Sequence, residues 1–225
     1  IDSVTAQAEL LDTNYAAGYY PWVRVLDDIS GTFIWAPPSV VLPEVYKYSD
    51  NVGAEWFAPA GLNRGGIPGA IGVKTRLTQN DRDILYESKV NPIAQFPGQG
   101  VCVWGQKTLQ RRPTALDRVN VRRLMFFIEK SIRSASRTLL FDPNDETFRT
   151  NFTNLATKIL QDVQVGRGIY AFIIKADTEI NTPDVIDRNE FVAEIYVKPT
   201  RSINYITITF VATRTGVSFS EVTGR

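Results

Sequence analysis

The sequence predicts an α/β (α+β) fold in which a mixed β-sheet is flanked by helices. Two observations carry this. Residues 119–139 and 145–163 each show apolar side chains at helical spacing. Around them lie short runs rich in β-branched and aromatic residues, bounded by Gly, Pro and Asp. With 44% hydrophobic and 22% charged residues, 225 residues can build a real core.

In chain order, residues 3–11 read as a short helix. Residues 20–26 (YPWVRVL) and 31–36 (GTFIWA) read as strands joined by a turn at 27–30. Pro37-Pro38 breaks the pattern, and a short helix is expected over 41–48 with Pro43 in its first turn. Residues 57–72 hold five glycines and two prolines, which is a structured loop. Thr78 to Asp81 has the form of a capping box opening a helix to about residue 89. Short strands follow at 93–95 and 101–105, separated by the Pro97-Gly98 turn.

The helix over 119–139 places Val121, Leu124, Ile128, Ile132, Ala135 and Leu139 on one stripe. The helix over 145–163 repeats the pattern with Phe148, Phe152, Leu155, Ile159 and Leu160, and Gly166 and Gly168 end it. Strands are expected at 169–176, 190–198 and 203–213, the last alternating cleanly through Ile206, Ile208 and Phe210. Beyond Gly216 the tail through Val217, Phe219 and Glu221 keeps a period of two with nothing after it to pair with. That is a frayed end, or a strand available to augment the sheet of a neighbouring molecule.

Several functions are excluded early. The chain has no histidine, which removes histidine general bases, serine–histidine triads and histidine-containing zinc sites. The single cysteine, Cys102, lies in an apolar run and reads as a small buried residue. No run of apolar residues reaches the ~20 needed to span a bilayer, and no signal-peptide pattern opens the chain. The 25 Lys+Arg against 24 Asp+Glu argue against a nucleic-acid partner. Asp142 to Glu146 resembles the start of a calcium loop but lacks its sixth-position glycine and twelfth-position glutamate, so it reads as a helix N-terminus capped by Asn144 or Asp145. No phosphate loop or dinucleotide fingerprint is complete. The reading assigns no catalytic residue, cofactor, metal, membrane or nucleic-acid partner.

One asymmetry remains. The helix over 119–139 carries Arg122, Arg123, Lys130, Arg133 and Arg137 against Glu129 alone. It is either a solvated outer face with a Glu129–Arg133 pair or a docking surface for an acidic partner.

Certain phrases, taken in series, carry a resemblance. They include Tyr20-Pro21-Trp22, Pro37-Pro38-Ser39, and Phe57-Ala58-Pro59-Ala60-Gly61-Leu62-Asn63-Arg64-Gly65 after Trp56. Val90-Asn91-Pro92-Ile93, Val103-Trp104-Gly105-Gln106-Lys107 and Phe141-Asp142-Pro143-Asn144-Asp145 follow. Ile186-Asp187-Arg188-Asn189-Glu190-Phe191 and Lys198-Pro199-Thr200-Arg201-Ser202 complete the run. In this order it resembles the C-terminal half of contractile phage tail sheath proteins, most closely those of T-even-type phages, from about Tyr20 to Glu221. Family members are considerably longer, and the start at Ile1 without methionine fits a piece of such a chain.

The resemblance implies a non-enzymatic virion subunit, assembled in the host cytoplasm. Such subunits stack as hexameric discs around a tail tube, between baseplate and tail terminator proteins, and contract to drive the tube through the host envelope. It implies a conserved tube-proximal core over 1–216 and a C-terminal arm over 217–225. On it, Val217, Phe219 and Glu221 become an exchanged strand with Gly216 as hinge, and the five basic residues become a candidate tube-facing or inter-subunit face. A sheath from a tailocin or bacterial injection system shares the mechanism. A carboxylate-dependent enzyme and a basic nucleic-acid-binding module are the alternatives of other classes.

Overall fold

The computed structural model describes residues 1–27 and 29–204. The strand expected over 203–213 falls almost wholly outside the described residues, and so do Gly216, Val217, Phe219 and Glu221.

The fold is a mixed α/β arrangement, with the strands of the described residues divided among three small sheets. Helix α1 (Asp2–Glu9) leads to β1 (Gly18–Tyr20), β2 (Val23–Asp27) and β3 (Thr32–Ala36). The strand expected over 20–26 is therefore two strands in two sheets. Pro21, which has no N–H to give a ladder, marks the switch. Helix α2 (Pro38–Val52) is much longer than expected. Pro38 sits in its first turn, where a missing donor costs nothing, and Pro43 lies inside the helix rather than at its start.

The glycine-rich loop closes with β4 (Ala70–Val73). Gly65 permits a close crossing there: a Cβ would lie 2.7 Å from both the Ala60 Cα and the Val103 carbonyl oxygen. Helix α3 (Gln79–Glu87) opens with the expected capping box between Thr78 and Asp81. Strands β5 (Val90–Phe96) and β6 (Gly100–Val103) form the hairpin. Strand β1 joins β5 in parallel, pairing Gly18 with Val90, while β2 pairs antiparallel with both β3 and β4.

Helix α4 (Val119–Ser136) ends in a 3-10 turn at Arg137–Leu139. Helix α5 (Glu146–Val165) begins at Asp145, whose carboxylate accepts from the Phe148 N–H at 2.7 Å. Of the two caps the sequence allows, Asp145 is the one used. Strand β7 (Ile169–Lys175) pairs antiparallel with β8 (Glu194–Pro199), and a short helix, α6 (Pro183–Asp187), lies in the connection.

Apolar side chains gather in two clusters. The first joins Val23, Ala36, Leu42, Val45, Ile93 and Val103, so α2 covers the strands of the first two sheets. The second joins Leu124, Ile128 and Ile132 of α4 to Phe152, Ala156 and Leu160 of α5, with Ile169 of β7 beneath. Each fully buried Leu or Ile contributes about 1.5–3 kcal/mol against exposure, so the two stripes legible in sequence hold this half together.

Candidate assembly surfaces

The five basic residues of the α4 region do not share one face. Arg123 turns inward and grips Asp50 of α2 with Nη2–oxygen distances of 2.7 and 2.6 Å. Its guanidinium also lies 5.0 Å from the Tyr46 ring centre, and the Tyr46 and Tyr19 hydroxyls meet at 2.8 Å. Burial pushes the Tyr19 phenol well above its usual pKa, reinforced by Tyr46, and burial raises Tyr46 too. Arg122 stacks on Tyr15 at 3.7 Å and on Phe126 at 4.3 Å. Both arginines are half-buried and join elements of this chain.

The remaining three are exposed. Arg133 pairs with Glu129 at 2.6 Å, one helical turn away, as the sequence allowed. Lys130 and Arg137 have no carboxylate within 4.0 Å among the described residues. Sequence reasoning could not separate the two groups, because Asp50 is 73 positions from Arg123 and no local pattern announces the pair.

A second surface is the β7–β8 sheet. Phe172, Ile174, Ile195 and Val197 pack against the α4–α5 core, while Ile173 and Tyr196 on the other face are 60% and 52% exposed. Among the described residues the sheet has two strands, so each carries an outer edge with no ladder partner. Unpaired edges of this length are where an added strand finds backbone donors and acceptors. The Thr200 N–H and hydroxyl bond the Gly168 and Arg167 carbonyls, at 3.0 and 2.8 Å, fixing where the chain leaves β8.

Between the two cores runs a groove of about 1250 Å³. Its floor is set by Trp56, which the sequence showed only as a neighbour of the glycine-rich loop. The Trp56 indole N–H donates to the Gly166 carbonyl at 2.8 Å, and its ring meets Phe127 edge-on at 5.2 Å. Gly166 and Gly168 make this seat: a Cβ at Gly166 would fall 2.6 Å from the indole, and one at Gly168 would fall 3.1 Å from it. The two glycines therefore do more than end a helix. Asn120 of α4 donates to the Trp56 carbonyl at 3.2 Å, completing the junction.

The groove walls carry aromatic side chains and four arginines against one acid, Asp83. Arg64 and Arg167 stand 5.1 and 5.7 Å from the Phe57 ring centre, and Arg82 and Arg201 line the same space. None of these four has a carboxylate partner among the described residues. Gln106 and Asn120, each 4% exposed, also line the groove, and their amide oxygens accept no hydrogen bond among the described residues.

Two side chains with shifted pKa values stand near these surfaces, and both are held in the fold. Cys102 is 1% exposed and burial pushes its thiol up to about 11, where it is a poor nucleophile. Burial lowers Lys107 to about 8, but its ammonium is committed to the Tyr86 carbonyl at 2.6 Å and lies over the Tyr86 ring. Among the described residues, no three acidic or thiol side chains gather as a metal site, and no helix is long and apolar enough to cross a membrane.

Comparison with known proteins agrees along nearly the whole chain. Residues 46–109 match the phage tail sheath protein central domain, and residues 112–213 match the phage tail sheath C-terminal domain. The tail sheath protein of Vibrio phage KVP40 is 39% identical over 222 residues, covering 99% of this chain and 32% of that protein. The tail sheath protein of Enterobacteria phage T4 is 42% identical over 190 residues, covering 84% of this chain and 29% of that one. The chain thus spans about a third of the length of these relatives. In fold, it superposes with a TM-score of 0.82 on a chain of the sheath complex of an extracellular contractile injection system in its contracted state. That match has 24% identity and covers 95% of this chain and 60% of the other. The chain belongs to the phage tail sheath family, and it carries sequence of that family's central and C-terminal domains.

Proposed function

We propose that this chain is the tube-proximal part of a contractile tail sheath subunit, a structural element of the phage tail with no catalytic role. Sheath subunits then assemble in the host cytoplasm as stacked hexameric discs around the tail tube, between baseplate and terminator. Contraction of that array drives the tube through the host envelope. The energy lies in the difference between two lattices, so the subunit needs no nucleotide site.

The observation that carries this reading, beyond family membership, is the β7–β8 sheet, which among the described residues has two strands and so leaves both outer edges without a ladder partner. A polymer that rearranges without falling apart needs one class of contact that persists. Strand addition supplies it, because several backbone hydrogen bonds hold the donor while the connecting segment pivots. On this reading residues 217–225 of one subunit, through Val217, Phe219 and Glu221, extend the sheet of a neighbour, and Gly216 is the pivot. The exposed Lys130, Arg133 and Arg137 face the tube or a neighbouring subunit, where screened charge pairs re-form at modest cost. Arg122 and Arg123 serve the fold, so tests of this face belong at Lys130 and Arg137.

Negative-stain electron microscopy of the full-length parent protein, with and without polymerised tube, tests the proposal. Hollow striated cylinders are expected, and they disappear on deletion of residues 217–225. Monodisperse particles under both conditions would refute a sheath role. Cylinders that survive the deletion would refute strand exchange by the tail.

A further inference from the structure

The loop joining α4 to α5 ends in a feature that the fold itself does not use. Phe141 is wholly exposed, Leu140 is 62% exposed, and Phe141 holds a left-handed backbone at φ 72°. A bulky side chain in that region is a genuine outlier, and such outliers cluster where a surface is shaped for contact. Exposed Asp142 follows Phe141 directly, exposed Glu146 opens α5, and exposed Arg137 precedes the tip. The tip is thus a small aromatic knob followed along the chain by exposed acids.

The groove described above has the opposite character. Phe57 and Trp104 give it apolar walls, and Arg64, Arg82, Arg167 and Arg201 line it without carboxylate partners among the described residues. Asp83 also lines the groove, which leaves four guanidinium groups against one carboxylate. A polypeptide loop that carries an aromatic side chain and carboxylates suits this lining.

We infer that the Leu140–Phe141 knob of one copy docks into the Arg-lined groove of a second copy. The two surfaces cannot meet within one molecule. The knob precedes the first turn of α5, whereas Arg167 follows its last, and a helix of 20 residues is about 30 Å long. A contact between two different patches at opposite ends of one helix is heterologous, and such contacts propagate into open chains or rings. The inference rests on the sheath reading and adds to it an exchangeable, charge-steered contact distinct from strand addition.

The test uses assembled full-length parent protein carrying a photo-reactive phenylalanine analogue in place of Arg167, mixed with isotope-labelled copies lacking it. The expected product joins position 167 to a labelled peptide containing Leu140 and Phe141. A cross-link to residues 205–225 or to the tube protein would overturn the knob contact, as would no cross-link in intact cylinders. Failure of the unsubstituted protein to form cylinders would instead overturn the sheath reading and this contact with it.

A charge swap gives a second readout. Asp142→Arg with Glu146→Arg reverses the two exposed acids that follow the tip and leaves the Asp145 cap intact, while Arg167→Glu with Arg201→Glu reverses the exposed part of the groove. Close charge pairs across an interface couple strongly, so each variant alone needs roughly tenfold more protein to assemble, and mixing the two restores assembly. Loss without restoration, in variants whose circular dichroism and melting match the parent, would refute the docking.

Discussion

Replacing Trp56 tests whether the two cores are held as one body. In Trp56→Ala the indole leaves a void between the Gly166–Gly168 turn and Phe127, and the Gly166 carbonyl loses a donor at 2.8 Å. Truncating a large aromatic in a core costs about 3–5 kcal/mol. Trp56 is only half-buried, so the lower end applies, at about 3 kcal/mol. For a chain of this size each kcal/mol lowers the melting temperature by about 2–4 °C, giving a drop of roughly 6–12 °C. Trp56→Phe keeps a ring against Phe127 and removes only the N–H, so it costs about 1 kcal/mol, or roughly 2–4 °C. Far-ultraviolet circular dichroism is the assay, because it does not depend on the fluorophore being removed. A Trp56→Ala loss below about 1 kcal/mol would show that the junction does not hold the halves together. Equal losses in both variants would assign the effect to the hydrogen bond and refute the packing argument.

Asn181, 1% exposed, closes the loop between β7 and β8 by donating to the Asp177 and Val192 carbonyls and accepting from the Val192 N–H. Asn181→Ala strands those groups and costs about 2–3 kcal/mol, with faster amide exchange confined to residues 177–192; protection equal to the parent refutes the role. Gly65→Ala drives a Cβ to 2.7 Å from backbone atoms on two sides, where no side chain can yield, and destabilises by about 3 kcal/mol in urea titration. Lys107 gives a pH signature. The unfolded chain keeps this proton to the ordinary lysine value of 10.5 while the folded chain releases it near 8, so its contribution to stability rises with pH across that window. The parent's melting temperature, minus that of Lys107→Met, therefore climbs between about pH 8 and 10.5. Cys102 contributes with the opposite sign, equally in both proteins, and cancels; a flat difference refutes the assignment.

What was legible in the sequence was what local spacing encodes. The stripe of Val121, Leu124, Ile128 and Ile132 is buried as its period requires, and the Thr78–Asp81 capping box forms where its spacing places it. Elements went astray where a single residue or a distant contact decides. Pro21 divides one expected strand between two sheets. Helix α2 runs on past its expected end at residue 48, and its last turns carry Ser49, wholly buried, and Asp50, which meets Arg123. Helix α6 has 5 residues, too few to show a period. The loop that Asn181 closes holds Val192, and β8 starts at Glu194 rather than 190. The basic residues of α4 were visible as a group, but their division into two inward staples and three outward charges depends on Asp50 and Tyr15, which no helical pattern reveals.

The division has a mechanical consequence under the proposed function. A subunit that transmits force between lattices must not yield internally before its outer contacts do. Here the joints between the two cores are the guarded ones: Arg123 on Asp50, the Trp56 indole seated on glycines, and Asn120 on the Trp56 carbonyl. Partly buried charged and aromatic contacts of this kind are little screened by salt and couple to the packing of both cores. The exposed charges at Lys130 and Arg137, the exposed Phe141 and Asp142, and the edges of β7 and β8 that have no partner among the described residues lie outside those joints. Among them, screened charges exchange most readily and ladder bonds least. Under load, such a chain gives way first at its exposed charge contacts, next at added strands, and last within its own core, the order that a polymer requires if it is to rearrange without dissolving.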